Sequence, residues 1–327
     1  MFAFVPNSEV LANTDKSFYH YSWLHLPDLT MEANPYLVGK YPAVDEIVVP
    51  SPDFSHLVVG RTTYKVWSDN SLALASVSVL LANPDDDRVS QVSQPKAYRV
   101  NDDTGTGDSI SWSANSQDFA FTRTADWIPY KDYRLYIYHV PSGTQKTLTL
   151  RTFQAVGFAL SPDGTQVAFS DQSGLSLIDV TGSRQRLIFE GWVGSNLVWH
   201  PDGKRIFFVG NAPALAIDSV DVTSGAVTPI IPADKDLGYL SLSPDGSLLS
   251  YEDHGLYVVS TDGGNPSKLL GDGIGLHTWV WSADSRYIAY TSPPSLTLYV
   301  MDREGNGKVS VYVGDQIAAL WLIGWQP

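Results

Sequence analysis

Glu46, Arg61, Asp108 and Arg123 are the residues whose types and placement could do chemistry together. Two neighbouring guanidiniums can clamp a carboxylate or phosphate through parallel N–H donors, and carboxylates beside them can accept from a hydroxyl or hold a cation. His277 and Trp321 occupy the same repeat position as Glu46 and Asp108 and join them at one mouth. The competing reading pairs each acid with its arginine, leaving ion pairs that merely satisfy one another at a wetted rim. Tyr64, Trp67, Trp127 and Tyr130 lie in the segments 61–71 and 123–132, where their flat amphipathic rings suit contact with sugar or protein. The alternative is that these rings pack on one another to cover an oversized rim.

Other chemistry is poorly represented. His20, His25, His56, His139, His200, His254 and His277 show no H-E-x-x-H or similar ligand spacing. His254 with Asp253 offers two metal donors inside a short turn, and His200 replaces a turn serine, which reads as structural. NPDDDR (83–88) lacks the spacing of a calcium loop and reads as a charged turn that blocks edge pairing. No Ser-His-Asp set, G-x-S-x-G elbow, GxGxxG or P-loop is present, so neither a reaction nor a nucleotide cofactor is indicated. No cofactor is expected, apart from a divalent cation that Glu46, Asp108 and His277 could hold in a channel.

The elements that must carry these residues are set by an internal repeat. VVPSPDFSHLVVG (48–60), ISWSANSQDFAFT (110–122), FALSPDGTQVAFS (158–170), LVWHPDGKRIFFV (197–209), LSLSPDGSLLSYE (240–252) and VWSADSRYIAYTS (280–292) share one pattern: strand, turn, strand. Proline presets φ for the turn, and Asp-Gly supplies the positive φ of a tight hairpin. The copy at 48–60 departs from the rule by placing Phe54 where glycine belongs. A third strand follows each hairpin, for example 133–140, 175–180, 256–261 and 296–302, and then a fourth, for example 145–150, 184–189, 226–231 and 308–313. The unit is a four-stranded antiparallel meander of roughly 40 residues. Trp112, Trp199, Trp281 and Trp325 recur just before the turn and are expected to wedge between sheets.

The repeated [SH]-P-D-G-x-x-[IVL]-x-[FY] hairpin resembles the WD-like repeats of TolB-like bacterial propellers, also found in prolyl-oligopeptidase-type peptidases. The resemblance spans essentially the whole chain. It implies an all-β, seven-bladed propeller, with six blades as the alternative, and a bacterial extracytoplasmic location, periplasmic or cell-surface. The peptidase resemblance also implies a hydrolase domain, and no elbow for one is present.

One domain, 1–327, is expected, with blades at 43–100, 107–150, 152–190, 193–231, 237–271 and 274–315 and a first blade built from 1–41 plus 317–327. LIGWQP matches the first half of the repeated hairpin and MFAFV the second, so the ring is expected to close by pairing the chain ends. SFYHYSWLHL (17–26) and NPYLVGK (34–40) then serve as the third and fourth strands of that blade. Position by position, the second strand leaves the core at Pro6, Arg61, Arg123, Asp171, Gly210, Asp253 and Ser292. The first strand begins at Glu46, Asp108, Val156, Ser195, Gly238, His277 and Trp321. Antiparallel neighbours begin and end on one edge, which brings the candidate residues together. Long loops at 6–17, 61–71 and 123–132 flank the same sector.

Composition bounds the partners. The 327 residues are 43% hydrophobic, enough for a sizeable core, and no apolar run reaches membrane-spanning length. The start, MFAFVPNSEV, lacks the basic and long apolar regions of a signal peptide. A formal charge of −14 repels phosphate backbones, so nucleic acid is excluded as a partner. The absence of cysteine removes disulfides and thiolate chemistry and fits an exported or a cytosolic chain. The expected role is a non-catalytic, monomeric binding or scaffold domain that engages a protein, carbohydrate or small anionic ligand on its loop-rich face. Its rivals are a carbohydrate-active propeller enzyme, metal-assisted or not, and a gate for a larger hydrolase.

Overall fold

The computed structural model describes residues 8–13, 21–26, 31–33, 44–66, 72–83, 89–97, 110–122, 133–150, 152, 157–211, 215–232, 237–271, 278–291, 297–312 and 321–326. Among the described residues, 28 strands form seven four-stranded antiparallel sheets. Six sheets are sequential meanders, numbered here two to seven in chain order. Sheet one takes one edge strand, Trp321–Gln326, from the C-terminal end and sets it beside Ser8–Asn13, followed by Tyr21–Leu26 and Met31–Ala33.

That pairing corrects the expected assignment within sheet one. The partner of the C-terminal strand is Ser8–Asn13, with Val10 opposite Trp325 and Asn13 opposite Trp321. MFAFV, expected in that role, lies outside the described residues, as does 34–40. The fourth strand is Met31–Ala33 instead, with Ala33 opposite Ser22. Segment 8–13 must satisfy neighbours on both sides at once: Leu11 faces Trp23 on one and Gly324 on the other. A register shift between Leu11 and Ala12 reconciles the two ladders.

The chain divides into two compact units. One holds residues 39–199 and 221–225, the other 1–38, 200–220 and 226–327. In the first, sheets two and three pack through Val58, Val79, Phe119, Phe121 and Tyr136, and sheets three and four through Leu135, Leu148, Leu160, Val167 and Phe169. In the second, sheets six and seven pack through Leu256, Leu270, Trp279, Trp281, Ile288 and Tyr290. Each such aromatic or aliphatic side chain contributes about 1.5–3 kcal/mol when withdrawn from water, so these seams are the main adhesive between sheets.

The recurrent tryptophans reinforce the seams. Trp112 donates its indole N–H to the carbonyl of Val49 at 3.2 Å, Trp199 to that of Ala159 at 3.1 Å, and Trp281 to the hydroxyl of Ser250 at 3.0 Å. Each reaches back into the preceding sheet, so the ring wedges while its one polar atom stays satisfied. The side chain of Trp325 lies outside the described residues.

The six hairpin turns share one backbone. The fourth turn residue is left-handed in all of them: Phe54 (φ 58°), Ser116 (59°), Gly164 (73°), Gly203 (71°), Gly246 (74°) and Ser285 (60°). Its N–H donates to the first turn residue, as Phe54 to Ser51 at 2.9 Å and Gly246 to Ser243 at 2.8 Å. The first-position hydroxyl donates to the third-position side chain, at 2.7 Å from Ser51 to Asp53 and at 2.6 Å from Ser161 to Asp163. His200 does the same work through Nδ1, 2.7 Å from Asp202. A non-glycine residue in this region costs of order 1 kcal/mol. Two of the three exceptions have a visible return: Ser116 Oγ accepts the N–H of Asp53 at 3.1 Å, and Ser285 Oγ accepts that of Asp245 at 2.9 Å. The serines thereby tie one turn to the turn of the preceding sheet. Phe54 instead buries its ring to 8% exposure.

Candidate ligand-binding edge

The edge opposite the SPDG turns is where the second strand of each sheet hands over to the third. In sheet four, Gln166–Asp171 passes to Gly174–Asp179 through a two-residue turn, with Asp171 buried and its carboxylate accepting the N–H of Ser173 at 2.7 Å. A Cβ on Gly174 would stand 2.0 Å from the carbonyl oxygen of Phe189, so only glycine lets the fourth strand lie this close. Sheet six repeats the device: His254 takes φ 53°, and Gly255 lies against the carbonyl of Leu270, 2.3 Å from the position of a Cβ. His254 Nδ1 sits 3.3 Å from Asp253 Oδ1, a contact between a mostly exposed imidazole and a buried carboxylate. Among the described residues no three His, Cys, Asp or Glu side chains are placed to hold a metal ion.

Sheet two is built differently at this edge. Its second strand runs Leu57–Val66 and its third Leu72–Ala82, so segment 61–71, expected as a long loop, is mostly paired strand. The pairing continues through Arg61 opposite Ser78, Tyr64 opposite Leu74 and Val66 opposite Leu72. RTTYKV is rich in β-branched residues, and its ladder with LALASV satisfies backbone groups that a loop would leave to water. Segment 6–17 is corrected likewise, because Ser8–Asn13 inside it is a strand. Segment 123–132 lies outside the described residues.

Of the expected site residues, Glu46 and Arg61 are brought directly opposite one another across the first two strands of sheet two, Val44–Pro50 and Leu57–Val66. Tyr64 is three residues further along the same strand, and Trp321 opens the C-terminal strand opposite Asn13. Asp108, Arg123, Trp67, Trp127, Tyr130 and His277 lie outside the described residues. Two other histidines make local contacts: His56 Nδ1 lies 2.8 Å from Ser55 Oγ, and His139 Nδ1 lies 2.8 Å from Asp118 Oδ1.

A further aromatic pair stands at this edge. Tyr239 is 56% exposed, and its ring meets Trp279 edge-on, with centroids 5.5 Å apart. The sequence signal was Tyr239 following Gly238, a compared position, and Trp279 standing two residues before the recurrent Trp281. Asp218, on Leu215–Asp221, has its carboxyl pKa raised by burial and lies where a Cβ on Gly210 would stand 3.3 Å from its Oδ2.

No family model and no curated protein sequence matches the chain. Solved structures do. A putative TolB from Agrobacterium tumefaciens superposes with a TM-score of 0.50 at 19% identity, covering 68% of this chain and 83% of its own. TolB from Acinetobacter baumannii gives 0.51 at 14% identity, covering 94% and 79%. The hydrazine synthase of Kuenenia stuttgartiensis gives 0.52 at 14% identity, covering 78% and 75%. At these identities the likeness is one of architecture, and that architecture is a TolB-like β-propeller.

Proposed function

We propose that the seven sheets close into one ring and that the chain works as a non-catalytic binding or scaffold domain, taking a protein or small anionic ligand over sheets one to three. Arg61 and Arg123 clamp a carboxylate or phosphate, Glu46 and Asp108 orient them and accept from hydroxyls, and His277 and Trp321 complete the mouth. Tyr64, Trp67, Trp127 and Tyr130 supply the surrounding contact surface. The fold itself does not choose between binding and catalysis, since proteins named TolB and a hydrazine synthase both carry it. What supports a binding site is the Glu46–Arg61 pair, set on strands that run past it to Val66, whereas the second strand of sheet four stops at the equivalent Asp171. A rigid paired hairpin holds an arginine in place better than a loop does. An extracytoplasmic location belongs to the same reading.

The test is the double variant Arg61→Ala, Arg123→Ala, titrated calorimetrically with inorganic phosphate and with an acidic hexapeptide. Wild type should bind at least one of them, and the variant should lose about tenfold in affinity or more while its thermal unfolding stays in place. Unfolding at a much lower temperature would make the pair structural, and a wild type that ignores both probes would remove the anion site.

A further inference from the structure

We propose a second site, selective for cations, where sheets six and seven meet: the exposed ring of Tyr239 and the carboxylate of Glu252 beside it receive the basic group of a lysine or arginine side chain. Tyr239 immediately precedes the strand Leu240–Leu242, Glu252 ends the neighbouring strand Leu248–Glu252, and the N–H of Glu252 donates to the carbonyl of Tyr239 at 3.3 Å. The N–H of Gly238 donates in turn to the carbonyl of Glu252 at 3.0 Å. A Cβ at position 238 would stand 3.0 Å from Glu252 Oε2, so the carboxylate lies close against the backbone of the residue that precedes Tyr239.

The aromatic wall is held rigidly. Trp279, 6% exposed, packs against Tyr239 at an interplanar angle of 78° and anchors its own indole N–H on Ser250 Oγ at 2.9 Å. Ser250 is fully buried and donates to the carbonyl of Ser241 at 3.0 Å, so its position is fixed as well. The side chain of Tyr239 itself stays open to solvent. The Glu252 side chain forms no hydrogen bond or ion pair with the described residues, and its charge is left to an incoming group. An aromatic face with an adjacent free carboxylate is the combination that attracts ammonium and guanidinium groups, and a chain of net charge −14 steers them inward.

A tetra-arginine amide titrated calorimetrically at low salt is the probe, with tetraglutamate and cellotetraose as comparison ligands. Tyr239→Ala and Glu252→Gln should each weaken tetra-arginine binding about threefold to fivefold. Tyr239→Phe should stay near wild type, because the ring is what binds. Glu304→Gln removes the same charge from a solvent-facing side chain, 61% exposed, and should change nothing. Equal losses in Glu304→Gln and Glu252→Gln would reduce the effect to diffuse attraction and overturn the site; so would full affinity in Tyr239→Ala, or binding of cellotetraose alone. Should Tyr239→Ala unfold, Tyr239→Leu keeps the apolar volume and removes the ring face. The variant Arg61→Ala, Arg123→Ala should bind tetra-arginine normally, so failure of the anion site and of this one are separable.

Discussion

Single polar atoms decide whether the seams between sheets hold. Ser250 Oγ accepts the indole N–H of both Trp279 and Trp281, at 2.9 and 3.0 Å, inside the apolar contact of sheets six and seven. Removing that oxygen leaves two buried donors without an acceptor, which costs more than the loss of one average hydrogen bond. Ser250→Ala should therefore destabilise the protein by about 2–3 kcal/mol in urea denaturation, although the change deletes one atom and opens almost no cavity. A loss below about 0.5 kcal/mol would mean that the indoles find other partners. Gly157 illustrates the steric counterpart: a Cβ there would fall 1.9 Å from the backbone oxygen of Ser195, so sheets four and five approach at a distance only glycine permits.

The recurring turn is the element on which pH acts. Burial works against the charge of Asp53, yet hydrogen bonds from Ser51, from the backbone and side chain of Ser55, and from Ser116 outweigh it and hold its pKa at about 2. Burial likewise opposes ionisation of Asp163 and Asp245, whose carboxyls are nonetheless lowered, chiefly by Ser161 and Thr165 in one turn and Ser243 and Ser247 in the other. A carboxyl whose pKa is lower in the folded chain adds stability above its unfolded value of about 3.9, and that contribution disappears as pH falls toward the folded value. Stability should thus be level from pH 7 to about 5 and fall between about pH 4 and 2, as read from urea midpoints. Asp53→Asn should flatten that fall while lowering stability at pH 7. An unchanged acid limb in the variant would show that this turn does not carry the dependence. Ser116 and Ser285 in the glycine position fit the same logic, because each exchanges backbone ease for a bond to the neighbouring turn.

At the scale of the whole molecule, sheet one is completed by strands from opposite ends of the sequence. Because Trp321–Gln326 is an edge strand hydrogen-bonded to Ser8–Asn13, its loss exposes a ladder edge and strips a neighbour from Thr278–Trp281, the strand it packs beside. Truncation after residue 320 should lower the melting temperature by at least about 5 °C, more than removal of a frayed tail would. A melting temperature within about 1 °C of the full chain would show that the terminal strand adds little. The first blade is also where the sequence was hardest to read. No SPDG-type turn marks the partner of Trp321–Gln326 as it does in the other six sheets, and the expected partner MFAFV gives way to SEVLAN.

The sequence by itself determined the four-stranded unit, its six SPDG-type hairpins and the tryptophan wedges. Left-handed turn residues and alternating apolar strands are local properties, written within a dozen residues. The Glu46–Arg61 opposition was legible for the same reason, since a hairpin of fixed turn length fixes its register. Tertiary structure decided how far strand 57–66 runs, which N-terminal segment meets Trp321, and that Tyr239 stands open beside Glu252 on a wall anchored by Ser250. Those outcomes depend on pairing and packing between distant segments, where the competing partners differ in contacts that no local pattern encodes.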